Sequence, residues 1–171
     1  MATTFVKIAS VTVGSGGAAS IDFTSIPADY TDLCIKVSIR TSRGFTSDAL
    51  AIKLNNSTTG YSSREVTYDN GSAASYTNLF GQGYNINTQG DGTTANTFSN
   101  QEIYIPNYAG SSYKSISADS VVENNGTDAR VELAALLWSN TSAVTSIYLA
   151  SYTGNTILQY STATLYGISN S

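Results

Sequence analysis

Leu33-Cys34-Ile35-Lys36-Val37-Ser38-Ile39-Arg40 is the stretch whose reading decides the fold. Leu33, Ile35, Val37 and Ile39 fall on every second position, with Lys36, Ser38 and Arg40 between them. Successive side chains of an extended chain point to opposite faces, so this period marks a half-buried β-strand, whereas a helix would space its apolar residues three and four apart. Asp128 to Trp138 repeats the pattern. There Ala129, Val131, Leu133, Ala135 and Leu137 are expected to face inward, and Arg130 and Glu132 outward. The Ala/Leu content of that run would suit a helix, but the alternation and the Asn125-Gly126 turn signal before it favour a strand.

Outward from these two runs, the same reading gives strands at Thr4–Val13, Ala19–Phe23, Leu50–Leu54, Tyr61–Tyr68, Glu102–Ile105, Ser115–Val122, Val144–Tyr152, Ile157–Tyr160 and Ala163–Ile168. Turn residues separate them: Gly14-Ser15-Gly16-Gly17, Asn55-Asn56-Ser57, Asp69-Asn70-Gly71, Asn124-Asn125-Gly126 and Thr153-Gly154-Asn155. No stretch has the length and period of an amphipathic helix. The expected fold is all-β, one antiparallel β-sandwich of jelly-roll type over residues 1–171, built from about ten short strands. The segment 69–100 interrupts the rhythm. It is rich in Gly, Ser, Asn, Thr and Gln, carries Tyr76, Leu79, Phe80, Tyr84, Ile86 and Phe98, and has no Lys or Arg. It reads as a long loop insertion that carries at most a short strand or two, and long insertions of this kind are often functional.

Composition excludes much chemistry. Of 171 residues, 25 are Ser, 22 Thr and 14 Asn, charged residues are 12%, and there is no His and one Cys. Without imidazole there is no Ser-His-Asp or Cys-His unit, no imidazole metal ligand and no imidazole proton shuttle. A lone Cys34 makes neither an intrachain disulfide nor a Cys-rich zinc site; it is expected to be inert, opposite the apolar face of its strand or in a second core layer. The net charge is −4 and the eight Lys and Arg are scattered, so no basic patch for nucleic acid is formed. The opening Met1-Ala2-Thr3-Thr4-Phe5-Val6-Lys7 lacks the charged and apolar regions of a secretory signal, and no apolar run is long enough to span a bilayer. The expectation is assembly in a cytoplasm without a membrane partner.

Twelve Asp and Glu remain as acid–base groups. A glycosidase needs two carboxylates facing each other across a cleft; Glu123 and Glu132, flanking an expected hairpin, could face each other, but so could any such pair, and solvated strand faces and turn caps account for these residues better. Gly90-Asp91-Gly92 and Asp69-Asn70-Gly71 carry too few carboxylates for a calcium loop. The run Gly14-Ser15-Gly16-Gly17 lacks the Lys and the helix of a phosphate loop. No catalytic residue, cofactor or metal ligand is therefore assigned. Trp138, closing an apolar strand, is expected to plug the core. The twelve Tyr suit either cross-strand packing or, with Asn, Gln and Ser, a rigid protein interface or glycan-binding face. Phe5, Tyr76, Phe80, Tyr84, Ile86, Phe98 and Tyr108 are the candidate subunit or partner contacts.

Three stretches carry a resemblance. They are Phe5-Val6-Lys7-Ile8-Ala9-Ser10-Val11-Thr12-Val13 with Ile21-Asp22-Phe23-Thr24-Ser25-Ile26-Pro27, Asn100-Gln101-Glu102-Ile103-Tyr104-Ile105-Pro106-Asn107-Tyr108, and Ile147-Tyr148-Leu149 with Gln159-Tyr160-Ser161-Thr162-Ala163-Thr164-Leu165-Tyr166-Gly167-Ile168. Across essentially the whole chain this resembles virion structural proteins of tailed bacteriophages of aquatic bacteria and cyanobacteria. The closing Thr164-Leu165-Tyr166-Gly167-Ile168 strand is its most specific piece. The resemblance implies a jelly-roll capsid decoration (cement) protein, binding the major capsid protein and copies of itself as a homotrimer. It equally implies, as the alternative, a tail-fibre or receptor-binding tip that recognises host surface glycan.

Overall fold

The alternation of Leu33 to Ile39 sets the centre of the molecule: all four of its apolar residues are at most 3% exposed. The structure, a computed structural model, describes residues 4–78, 84–126 and 128–169. Among the described residues the chain forms strands and no helix: β1 (Phe5–Thr12), β2 (Ser20–Phe23), β3 (Asp32–Ile39), β4 (Ser47–Leu54), β5 (Tyr61–Asp69), β6 (Ser72–Asn78), β7 (Tyr84–Gln89), β8 (Ser99–Ile105), β9 (Lys114–Glu123), β10 (Ala129–Trp138), β11 (Ile147–Ser151) and β12 (Thr162–Ile168). An eight-stranded sheet runs β1-β12-β3-β8-β9-β10-β5-β6, and a four-stranded sheet runs β2-β11-β4-β7. Every pairing is antiparallel. The chain is thus the all-β antiparallel sandwich that the period of two predicts.

The core lies between the sheets. Leu33, Ile35, Val37 and Ile39 meet Ile21, Phe23, Leu50, Ile52 and Leu54 from the small sheet, all nearly inaccessible. Each such side chain contributes about 1.5–3 kcal/mol by leaving water. Strands β1 and β2, β3 and β4, β7 and β8, and β11 and β12 each divide between the two sheets, whereas β5–β6 and β9–β10 are hairpins that stay within the large one. Asn70 (φ +49°) and Gly71 (φ +92°) form the tight β5–β6 turn, both left-handed as a primed hairpin turn requires.

Four expectations change. The segment 69–100 carries the strand or two expected of it, but these are members of the sheets and not an excursion from them: β6 ends the large sheet and β7 ends the small one, leaving 90–98 as its loop among the described residues. Polar strands of Ser, Thr and Asn carry too little apolar alternation to announce themselves. Ile157–Tyr160 is not a strand. Ile157, fully buried, makes isolated bridges to Ala18 and Thr41, and the chain then turns at Tyr160. Arg40, read as solvent-facing, is 5% exposed.

The fourth is the facing of β10. Its burial alternates as foreseen but with the opposite parity: Glu132, Ala134, Leu136 and Trp138 face inward, each at most 5% exposed, while Val131 and Leu133 are 51% and 64% exposed. The run is apolar on both faces near its end, so alternation alone does not choose between them. The bulk of Trp138, stacked on Tyr61 with ring centroids 6.2 Å apart, belongs inside and takes the other even-numbered residues with it.

Candidate binding surfaces

The parity of β10 is held by a polar cluster in the interior. Asn87 of β7 donates its backbone N–H (2.9 Å) and its Nδ2 (2.7 Å) to the Glu132 carboxylate. The Asn87 carbonyl accepts from Gln101 Nε2 (2.7 Å) and Ser120 Oγ (2.6 Å), on β8 and β9. Beside it Arg130 lies 3.3 Å from Asp69 and 3.7 Å from Asp128. A buried carboxylate is tolerated only where donors satisfy it, and these donors lie on the inner side of the sheet.

The consequence is on the outer side. Register places Val131 opposite Tyr68 and Val121, and Leu133 opposite Val66 and Asp119. Val66 is 60% exposed, Tyr68 51% and Val121 41%, so five large apolar side chains stand together on one sheet face. A groove of about 680 Å³ crosses it, lined among others by Arg64, Val66, Ser75, Thr77, Leu133 and Ala135. The sheet ends beside it at β6, whose Ser72-Ala73-Ala74-Ser75-Tyr76-Thr77-Asn78 has neither charge nor proline to blunt an exposed edge.

A second concavity, about 400 Å³, opens at the loop end of the sandwich between the β1–β2 loop (Ser15, Gly16, Gly17), the 90–98 loop (Asp91, Asn96, Phe98) and the β11–β12 loop (Thr156, Gln159, Tyr160). Arg40 builds its floor. Its guanidinium bonds Asp91 Oδ1 through Nε and Nη2 (3.2 and 2.9 Å), Thr93 Oγ1 and the carbonyls of Asp91, Thr93, Thr94 and Thr97. Five N–H groups in one planar fork can hold a loop of carbonyls in this way, and a lysine could not. Nearby, buried Asp48 accepts from Thr41, Ser151 and Thr153 hydroxyls at 2.7–2.9 Å and ties the same end of the sandwich together.

The foreseen contact residues separate. Phe5 (50% exposed, edge-on to Tyr166) and Tyr76 (52%) lie on β1 and β6, at opposite edges of the large sheet, and so do not share a site. Phe98, half-buried, lines the loop-end cleft. Ile86 and Tyr108 are fully buried in the core, so they are packing residues in this chain. The Tyr108 hydroxyl donates to the Pro27 carbonyl, and burial pushes its pKa up. Tyr84 belongs to β7, and Phe80 lies outside the described residues. Glu123 and Glu132 fall on opposite faces of the large sheet, since Glu123 is exposed at an odd position of β9 and Glu132 is buried, so they do not form a carboxylate pair. Cys34 is buried opposite the core face, and desolvation raises its pKa. Among the described residues no three Asp, Glu or Cys gather as a metal site.

The residues missed from sequence are Val66, Tyr68, Val121, Val131 and Leu133. For Val131 and Leu133 the signal is the alternation of β10, which the sequence reading turns towards the core; Val66, Tyr68 and Val121 lie on β5 and β9. Compared with protein-family models, curated proteins and solved structures, the chain matches none.

Proposed function

We propose that this chain is a non-catalytic structural subunit of a tailed-phage virion, of the capsid-decoration type, that docks on the major capsid protein through the outer face of β9, β10, β5 and β6. The observation that carries the docking is the clustering of Val66, Tyr68, Val121, Val131 and Leu133 on one exposed sheet face. Contiguous apolar surface of this kind, rimmed by polar residues, marks protein contact surfaces. The uncharged β6 edge beside it can add backbone pairing to a partner strand. The virion assignment rests on the sequence resemblance, and the strand order supports its jelly-roll component. Removing the hairpins β5–β6 and β9–β10 leaves β1-β12-β3-β8 facing β2-β11-β4-β7, a double four-stranded arrangement in which the chain passes from sheet to sheet at every connection except β4 to β7, which are neighbours in the small sheet, as in a jelly roll. Both hairpins then extend one sheet and carry the docking face.

The test is co-sedimentation of purified protein with phage heads stripped of their decoration layer. Leu133→Lys places a charge in the centre of the face, where the side chain is 64% exposed. It is expected to weaken head binding about tenfold or more while the melting temperature stays close to that of the parent. Unchanged binding by this variant sinks the docking assignment, and failure of the parent protein to bind heads sinks the virion assignment.

A further inference from the structure

We infer that the loop-end cleft between the β1–β2, 90–98 and β11–β12 loops is a binding site for a neutral saccharide of one or two rings. Tyr160 is the first observation. Among the described residues eight non-glycines have positive φ; six are Asn, one is Ser25, and the other is Tyr160 at +71°. Its backbone is pinned there, with Tyr160 N–H donating to the Val13 carbonyl (3.0 Å) and Ser161 N–H to the Leu158 carbonyl (3.2 Å). That makes Tyr160 the third residue of a four-residue turn whose positive φ normally calls for Gly or Asn. Elsewhere this chain supplies Asn at such positions, but here it carries an aromatic ring that is 66% exposed on the cleft. No packing gain explains a ring held out in solvent on a strained backbone, and strain of this kind concentrates at ligand sites.

The second observation is the chemistry of the lining. Phe98 offers a second, half-buried ring, and Asn96, Gln159 and Ser15 offer amides and a hydroxyl around it. Asp91 is half-exposed (side chain 53%); its Oδ1 is held by Arg40 at 2.9 Å, which orients the carboxylate at the mouth. Rings that stack on the apolar face of a sugar, with a carboxylate and amides that bind its hydroxyls, are a recognition set for neutral polyols. An anionic ligand is disfavoured, because the guanidinium of Arg40 is consumed by Asp91 and the loop carbonyls. The volume of about 400 Å³ lies at the small end of the range for ligand pockets, roughly 300–1,000 Å³. This cleft is separate from the docking face and does not rest on that reading.

The experiment is saturation-transfer NMR of the full chain with glucose, galactose, N-acetylglucosamine and maltose at millimolar concentration, with glucuronate and glucose 6-phosphate as anionic comparators. At least one neutral sugar is expected to show transfer. Tyr160→Gly removes the ring and suits the positive φ, so it is expected to weaken that sugar's binding about tenfold or more while raising the melting temperature by a few degrees. Should Tyr160→Gly fail to fold, Asn96→Gly, equally compatible with its backbone (φ +65°), decides in its place by the same loss of binding. Absence of transfer from every neutral sugar, transfer from the anions alone, or parental affinity in the folded variant overturns the inference.

Discussion

Glu132 shows how one buried polar side chain orients a strand. It is 2% exposed on a sheet face otherwise lined by Ala134, Leu136 and Trp138, and its carboxylate is stable there because Asn87 brings two N–H donors to it. Removing the carboxylate leaves those donors without their acceptor, a loss of about 1–3 kcal/mol. Glu132→Ala is therefore expected to lower unfolding free energy by that amount in urea titration. Glu123→Ala, at an exposed position of β9, should change it by no more than about 0.5 kcal/mol. Equal effects of the two would show that the Asn87 cluster does not hold the parity of β10. Arg40 plays the corresponding part at the loop end, where one guanidinium replaces the missing secondary structure of residues 91–97 with bonds to their carbonyls and hydroxyls.

Among elements, the two hairpins β5–β6 and β9–β10 distinguish the large sheet from the small. The turn at Asn70-Gly71 was legible from sequence, since Asn-Gly is a strong signal for a two-residue hairpin loop. The strand that follows was not, because Ser72 to Asn78 has only Ala and Tyr to mark a face. Gly71 sits at φ +92° with open space around its missing Cβ, the nearest atom being the Tyr68 hydroxyl at 4.0 Å. Substitution there acts through backbone strain alone, about 1–2 kcal/mol for an L-residue in the left-handed region. Gly71→Ala should accordingly speed hydrogen exchange at the β5–β6 amides and leave the β3 amides protected. Uniform acceleration throughout the sheet would mean that the hairpin is not a separately opening unit.

At the scale of the whole molecule, imidazole is absent and two tyrosines contribute to the response at high pH. Burial pushes the Tyr61 hydroxyl from 10.0 up to about 12. The Tyr104 hydroxyl, donating to Asp32 at 2.6 Å, is likewise held at about 12, first by that bond and then by burial. Both raised values favour the neutral, protonated form in the folded state. The stability they confer is complete below pH 10 and is lost as pH rises from 10 towards 12, where the unfolded chain has already released those protons. Spectrophotometric titration should find two phenols ionising near pH 12, with unfolding free energy falling across the same interval. Tyr61→Phe should make that fall less steep. A flat profile from pH 10 to 12 contradicts the assignment.

The sequence by itself determined that this is a sheet protein, where most strands and turns fall, and that Leu33, Ile35, Val37 and Ile39 face the core. Those features depend on the period of two and on left-handed turn residues, which are local properties. Only the tertiary structure decided which face of β10 is buried, that β6 and β7 belong to different sheets, and that Arg40 binds a loop instead of water. Parity, sheet membership and polar satisfaction are set by what lies across the core or across the sheet. A strand apolar on both faces, or polar on both, therefore acquires its orientation only when its neighbours arrive. The exposed apolar face of β10 and the cleft above Arg40 both lie where that choice is made.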